Sequence, residues 1–183
     1  MKATLTVNTG AMFSGKSTLL ISQGEKHMRA GQNVLYIKPS MDTRYSEDEI
    51  VTHSNLRVKA VAVDTTKPLN IDMDAYEVIL IDEAQFFDRM ILQSINELLK
   101  AGKTVYVSCL DMDFKGQGFD TAMNIMAMAD KVNKLKAICE GCGEDAVMSG
   151  KRVQNNNIDG VVELGAKDLY VPLCRKCYFD FIG

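Results

Sequence analysis

The stretch "ATLTVNTGAMFSGKSTLL", residues 3 to 20, decides the architecture. Its first half is an apolar run of β-forming residues. Its second half satisfies G-x-x-x-x-G-K-[ST], with Gly10, Gly15, Lys16 and Ser17 in the specified places. Glycines let successive main-chain N–H groups turn into one concavity, and the helix that follows adds the positive end of its dipole, so such a loop attracts phosphate oxygens. Lys16 then reaches the outer phosphates, Ser17 offers its hydroxyl to Mg²⁺, and Ser14 and Thr18 fall within the same cradle. A glycine-rich turn with a solvated lysine is the competing reading, and the strand before the loop with a helix start after it argues against that. The stretch therefore predicts a bound nucleoside triphosphate, ATP in the first instance.

Working outward, strand-like runs alternate with helical ones. A helix from about Lys16 to Ala30 stops at Gly31, followed by "NVLYIKP", "YEVILIDE" and "KTVYVSCL", with a second helix from about Arg89 to Ala101 ended by Gly102. This βαβ rhythm predicts an α/β fold of the P-loop NTPase-like kind, a parallel sheet flanked by helices. After Lys136 the texture changes to short strands, glycines and cysteines. The chain thus divides into an ATP-binding part at 1–138 and a small lobe at 139–183, in which "QNNNIDG" (154–160) reads as a loop tip.

The 183-residue chain holds 21 Lys/Arg against 24 Asp/Glu, a formal charge of −3. An acidic balance disfavours nucleic-acid and anionic-membrane partners, which need a basic surface. The start of the chain has no apolar signal core or cleavage-like site, and no apolar run is long enough to span a bilayer. These features predict a cytoplasmic protein with no membrane partner.

Two further patterns carry chemistry. "VILIDEAQFF" is an apolar strand ending in Asp82 and Glu83. Asp82 stands where P-loop proteins complete the Mg²⁺ shell, and Glu83 beside it is suited to take a proton from an attacking hydroxyl or water. "CEGC" and "CRKC" place Cys139, Cys142, Cys174 and Cys177 as two C-x-x-C knuckles, the ligand set of a closed, structural Zn²⁺ site. Two disulfides would compete in an oxidising compartment, whereas reducing cytosol favours metal. Cys109, in an apolar strand, reads as core.

Two function classes remain. One is a P-loop ATPase with a zinc ribbon acting on nucleic acid; the other is a small-molecule kinase whose zinc lobe closes over the acceptor. From Cys139 to Gly183 there are five Lys/Arg against seven Asp/Glu, which weighs against a polynucleotide track.

"GAMFSGKST", "DTRY", "IDEAQFF", "LDMDF", "CEGC" and "LYVPLCRKCY" occur in the order, and at about the distances, seen in type II thymidine kinases, which the chain resembles over nearly its whole length. The resemblance implies transfer of the ATP γ-phosphate to the 5′-hydroxyl of thymidine by a homotetramer inhibited by dTTP. It assigns catalytic roles to Glu83 as the base and Arg44 near the transferring phosphate. Asp42 looks like the residue that organises the Arg44 loop. Met12, Phe86, Leu110, Phe114 and Tyr170 resemble the lining of the thymine pocket, with Tyr170 stacking on the base. Ser149 resembles the hydroxyl residue near the thymine methyl, and Val161 to Tyr170, including Gly165, resembles a loop that wraps the base. This chain departs in having Ala166 after Gly165 and Gly118 where relatives often carry proline. His27 and His53 are left unassigned.

Overall fold

The computed structural model describes residues 3–42, 48–52, 55–152 and 169–183. The loop tip at 154–160, Arg44, His53, Val161, Gly165 and Ala166 lie outside those residues.

Six strands form one parallel sheet: β1 (Thr4–Gly10), β2 (Val34–Pro39), β5 (Val61–Val63), β6 (Val78–Ile81), β7 (Thr104–Cys109) and β8 (Lys131–Leu135). Their spatial order is β5-β2-β6-β7-β1-β8. Strand β7 therefore separates the strand that feeds the phosphate loop from the one that ends in the acids. A side hairpin, β3 (Glu49–Val51) with β4 (Arg57–Lys59), folds over the carboxyl ends of the strands beside β2.

The sheet is coated on both sides because successive side chains point to opposite faces. Ile79 and Ile81 join Val105, Val107 and Ile37 in one core cluster, against Ile91, Ile95 and Leu98 of α2 (Met90–Lys100) and Ile125 of α3 (Asp120–Met128). Val78, Leu80 and Tyr36 face the other way, against Leu20 and Ile21 of α1 (Lys16–Arg29). All four residues of β6 are buried, as a central strand covered on both faces requires.

The chain after β8 forms small antiparallel pairs: β9 (Ala137–Ile138) with β10 (Asp145–Ala146), and β11 (Met148–Lys151) with β12 (Tyr170–Leu173). Helix α4 (Arg175–Ile182) closes this part. Its own cluster joins Ala146, Met148, Val171, Leu173 and Tyr178 to Cys139, with Phe13 of the phosphate loop packed against it. Among the described residues no helix is long and apolar enough to cross a membrane.

Helices α1 and α2 agree with the sequence reading to within a residue or so, whereas α3, α4, β3, β4, β5 and β8 are additions to it. Strand β8, "KVNKL", sits at the sheet edge with three exposed and two half-buried positions, so its composition carries no buried alternation.

Candidate active site

The phosphate loop links β1 to α1 and takes its shape from backbone that most residues avoid. Gly10 has φ 140°, and a Cβ there would meet the Leu135 carbonyl oxygen at 2.3 Å. Phe13 (φ 64°) and Gly15 (φ 83°) are left-handed, which curls the intervening N–H groups inward as an anion nest. Lys16 opens α1, and its Nζ donates to the Ala11 carbonyl at 2.8 Å across the loop. Burial of that ammonium lowers its pKa, an effect opposed by Glu83 and Asp82. The hydroxyl of Ser14 is buried without a hydrogen-bond partner among the described residues, so the loop holds a polar group that its own fold leaves unused. A desolvated cation, a nest of N–H groups and an idle hydroxyl fit a polyphosphate.

Asp82 and Glu83 arrive from the end of β6. Asp82 is 5% exposed and accepts from Ser17 Oγ at 3.2 Å, so hydroxyl and carboxylate already converge where a magnesium ion would take both as ligands. Glu83 breaks the strand with φ 51° and ψ 41°, left-handed values that swing it off the line of β6 and start a one-turn 3-10 helix, Ala84–Phe86. The two neighbours thus reach different places.

One cavity at the carboxyl ends of the strands gathers Gly15, Lys16, Ser17, Thr18, Asp82 and Glu83. Met12, Asp42 and Leu110 line it too, with Ile50 and Val51 of β3 supplying apolar wall. Such a crevice, outside the strand ends, is where open α/β sheets bind ligands. Phe86, Phe114, Ser149 and Tyr170 do not line it. Ser149 nonetheless touches the phosphate loop, its Oγ accepting from Met12 N–H at 3.0 Å. Tyr170 is buried at the start of β12, paired in register with Lys151. The Lys151 ammonium lies 5.2 Å from the centre of the Phe114 ring, which places these three side by side at the lobe's inner edge.

Sequence reasoning missed Lys38, Glu49, Thr52 and Gln85. Lys38 is 3% exposed on the cavity wall and donates to the Glu49 carbonyl at 3.1 Å. A lysine ending an apolar strand, in "YIKP", was the available signal. Gln85 is buried and bonded to Glu83, a relation with no signature in spacing.

The four cysteine sulfurs Cys139, Cys142, Cys174 and Cys177 lie within 4.8 Å of one another. Cys142 Sγ and Cys174 Sγ are 3.6 Å apart, far longer than a disulfide and close to the roughly 3.8 Å edge of a tetrahedron with ~2.3 Å zinc–sulfur bonds. Main-chain N–H groups, that of Cys174 foremost, hold the Cys139 thiol below its usual pKa. The crowding of neighbouring sulfurs, led by Cys174, pushes Cys177 up to about 12. Four such thiolates need a dication among them, and the residues fit zinc.

The parallel sheet, the phosphate loop and the acids at the neighbouring strand end define a P-loop nucleotide-binding α/β protein. The thymidine kinase family profile matches residues 3–178. The thymidine kinase of Bacteroides fragilis is 40% identical over 169 residues, spanning 92% of this chain and 83% of that protein. That of Bacteroides thetaiotaomicron is 39% identical over 174 residues, spanning 95% and 86%. The chain belongs to the thymidine kinase family. Among solved structures, domain III of the Thermotoga maritima replication initiation protein DnaA is similar with a TM-score of 0.43 and 18% identity over 72% of this chain and 54% of that one, a likeness too loose to carry an argument.

Proposed function

We propose that this protein is an ATP-dependent thymidine kinase, transferring the γ-phosphoryl group of ATP to the 5′-hydroxyl of thymidine. The observation that carries the reading is the shared cavity: Lys16, Ser17, Asp82 and Glu83 face a space whose other wall is apolar Met12, Ile50, Val51 and Leu110. Polar groups for a polyphosphate and an apolar wall for a base are what a nucleoside kinase requires.

In this reading the loop N–H groups and Lys16 hold the β- and γ-phosphates. Ser17 and Asp82 would hold a magnesium ion, which would supply neutralisation of the charge on those oxygens. Glu83 accepts the 5′-hydroxyl proton as that oxygen bonds to the γ-phosphorus, and the bridging oxygen departs with ADP. Arg44 supplies a further cation to the equatorial oxygens. Phe86, Phe114 and Tyr170, with Ser149, Val161 and Gly165, belong to the base-binding side. The four cysteines would hold zinc, which would brace that side. The division of labour is between an ATP-binding part at 1–138 and a zinc-bearing lobe at 139–183, in a cytoplasmic homotetramer that engages no nucleic acid.

The test is ATP turnover with Mg²⁺ and no acceptor, thymidine, deoxyuridine, deoxycytidine or single-stranded DNA. Monophosphate formed from thymidine, alone or with deoxyuridine, is expected. ATP hydrolysis stimulated by DNA with no monophosphate formed overturns the proposal.

A further inference from the structure

Glu83 ends a strand in a left-handed conformation, and a glutamate side chain there retains three rotatable torsions. Something must hold its carboxylate if it is to meet a hydroxyl at a fixed place. Gln85, 7% exposed within the one-turn helix, does so from two residues away. Its Nε2 donates to Glu83 Oε2 at 2.5 Å. Its Oε1 accepts from the Leu110 N–H at 3.0 Å, just past the end of β7. Turning the amide over would set its oxygen against a carboxylate and its NH₂ against an N–H, so the two partners fix its orientation. The turn that presents Gln85 is itself closed by Phe86 N–H donating to the Glu83 carbonyl at 3.1 Å.

We propose that Gln85 is a positioning residue for phosphoryl transfer: its amide fixes the Glu83 carboxylate and ties it to Leu110, so that the base and the apolar wall of the acceptor cavity share one frame. The inference rests on the reading of Glu83 as base. Leu110 and Glu83 both line the cavity, just past the ends of strands β7 and β6, which are neighbours in the sheet. The amide bridge links the two directly, from one strand end to the next. A carboxylate that wanders by an ångström costs about 10²-fold in rate.

The discriminating variant is Gln85→Glu. It keeps an oxygen for the Leu110 N–H, and so the structural half of the bridge, but replaces the donor to Glu83 with a second carboxylate. Gln85→Met, of similar volume and with no hydrogen-bonding amide, removes both halves. Loss of the donor should therefore lower kcat for thymidine in Gln85→Met, and a second carboxylate set against Glu83 should lower it further in Gln85→Glu, with KM for ATP unchanged in both. The expected kcat falls roughly 10- to 100-fold in each, with KM for ATP and the melting temperature of Gln85→Glu close to the parent's.

Glu83→Gln is run alongside to keep the two ideas apart. Near-normal turnover in Glu83→Gln overturns the base reading and this inference with it. An inactive Glu83→Gln beside a Gln85→Glu of unaltered kcat overturns the inference alone. So does a Gln85→Glu whose whole defect lies in KM for ATP, which would mean that the amide binds nucleotide. A kcat that falls from parent to Gln85→Met to Gln85→Glu, with KM for ATP unchanged, supports it.

Discussion

Gly24 lies in the middle of α1, where helix propensity alone says that alanine should be better by about 1 kcal/mol. The packing says the opposite. A Cβ on Gly24 would sit 2.1 Å from the Tyr36 hydroxyl oxygen, 2.6 Å from its Cζ and 3.2 Å from Leu80 Cδ1. Ordinary contact begins near 3.4 Å, so ring or helix must retreat by about an ångström in a close-packed interface. Tyr36 has little freedom to do so, being 4% exposed on β2 with its hydroxyl donating to the Ile21 carbonyl at 3.1 Å. Overpacking of this kind costs ~1–3 kcal/mol. Displacing the ring and leaving its hydroxyl unpaired adds ~1–3 kcal/mol. Set against the propensity gain, Gly24→Ala should lose about 3 kcal/mol. For a chain of this length that lowers the melting temperature by roughly 6–12 °C. Urea unfolding followed by circular dichroism checks the value. The Gly24→Ala/Tyr36→Leu double variant checks the cause, because leucine lacks the two tyrosine atoms that collide. It should recover part of the loss, with a coupling of ~0.5–3 kcal/mol. A single variant as stable as the parent, or a strictly additive double variant, refutes the reasoning.

Strong chelation should release about one zinc per chain and expose the segment from β11 through α4 to proteolysis; a metal-free sample with an unchanged digestion pattern would remove zinc from the structural account. Burial lowers the Lys16 pKa in the fold, so the charged form is penalised below that lowered value and the penalty fades as pH rises toward the ordinary lysine range. Lys16→Met should therefore melt no lower than the parent at neutral pH, its advantage shrinking in alkali, while losing the melting shift caused by Mg·ATP; a drop of many degrees would contradict this. Tyr178→Phe removes the hydroxyl that donates to the Phe114 carbonyl at 2.9 Å. The expected cost is about 1 kcal/mol of stability with a raised KM for thymidine and an unchanged KM for ATP, and equal changes in both constants would show that the contact does not serve the nucleoside side.

What could be read before folding was whatever depends on local chemistry or on strong period-two burial. "VILI" announces a strand covered on both faces, and the loop glycines announce φ values that the backbone then adopts. Cysteine spacing announces a cluster because two C-x-x-C knuckles have few other uses in a reducing compartment. Lys38 and Gln85 were not legible for the opposite reason. Lys38 acquires its place only because β2 lies beside β6 and the β3–β4 hairpin lays the Glu49 carbonyl over it. Gln85 acquires its role from Leu110, a residue 25 positions away that is brought near by the β6–β7 pairing. The edge strand β8 was hidden because a strand with exposed faces has no buried pattern to display.

The same logic bears on why a metal held by the four cysteines, away from the phosphates, would matter to a phosphoryl transfer. Cys174 caps α4, its Sγ accepting the Cys177 N–H at 3.4 Å, so the helix starts at the sulfur cluster. The next residue, Tyr178, is 1% exposed and reaches back to the Phe114 carbonyl. Gly116 lets that loop lie against it: a Cβ there would stand 3.3 Å from the Tyr178 hydroxyl, in a backbone of φ 76°. On the adjoining strand, β11 brings Ser149 to the Met12 N–H inside the phosphate loop. Phe13 of that loop packs into the same cluster as Cys139, Cys174 and Cys177. Each hydrogen bond is worth only about 1 kcal/mol, but all of them meet one packed cluster that contains Cys139, Cys174 and Cys177. Loss of the metal should thus loosen the nucleoside side and the first turn of the phosphate loop together, while leaving α1 and the Ser17–Asp82 pair to be held by the sheet.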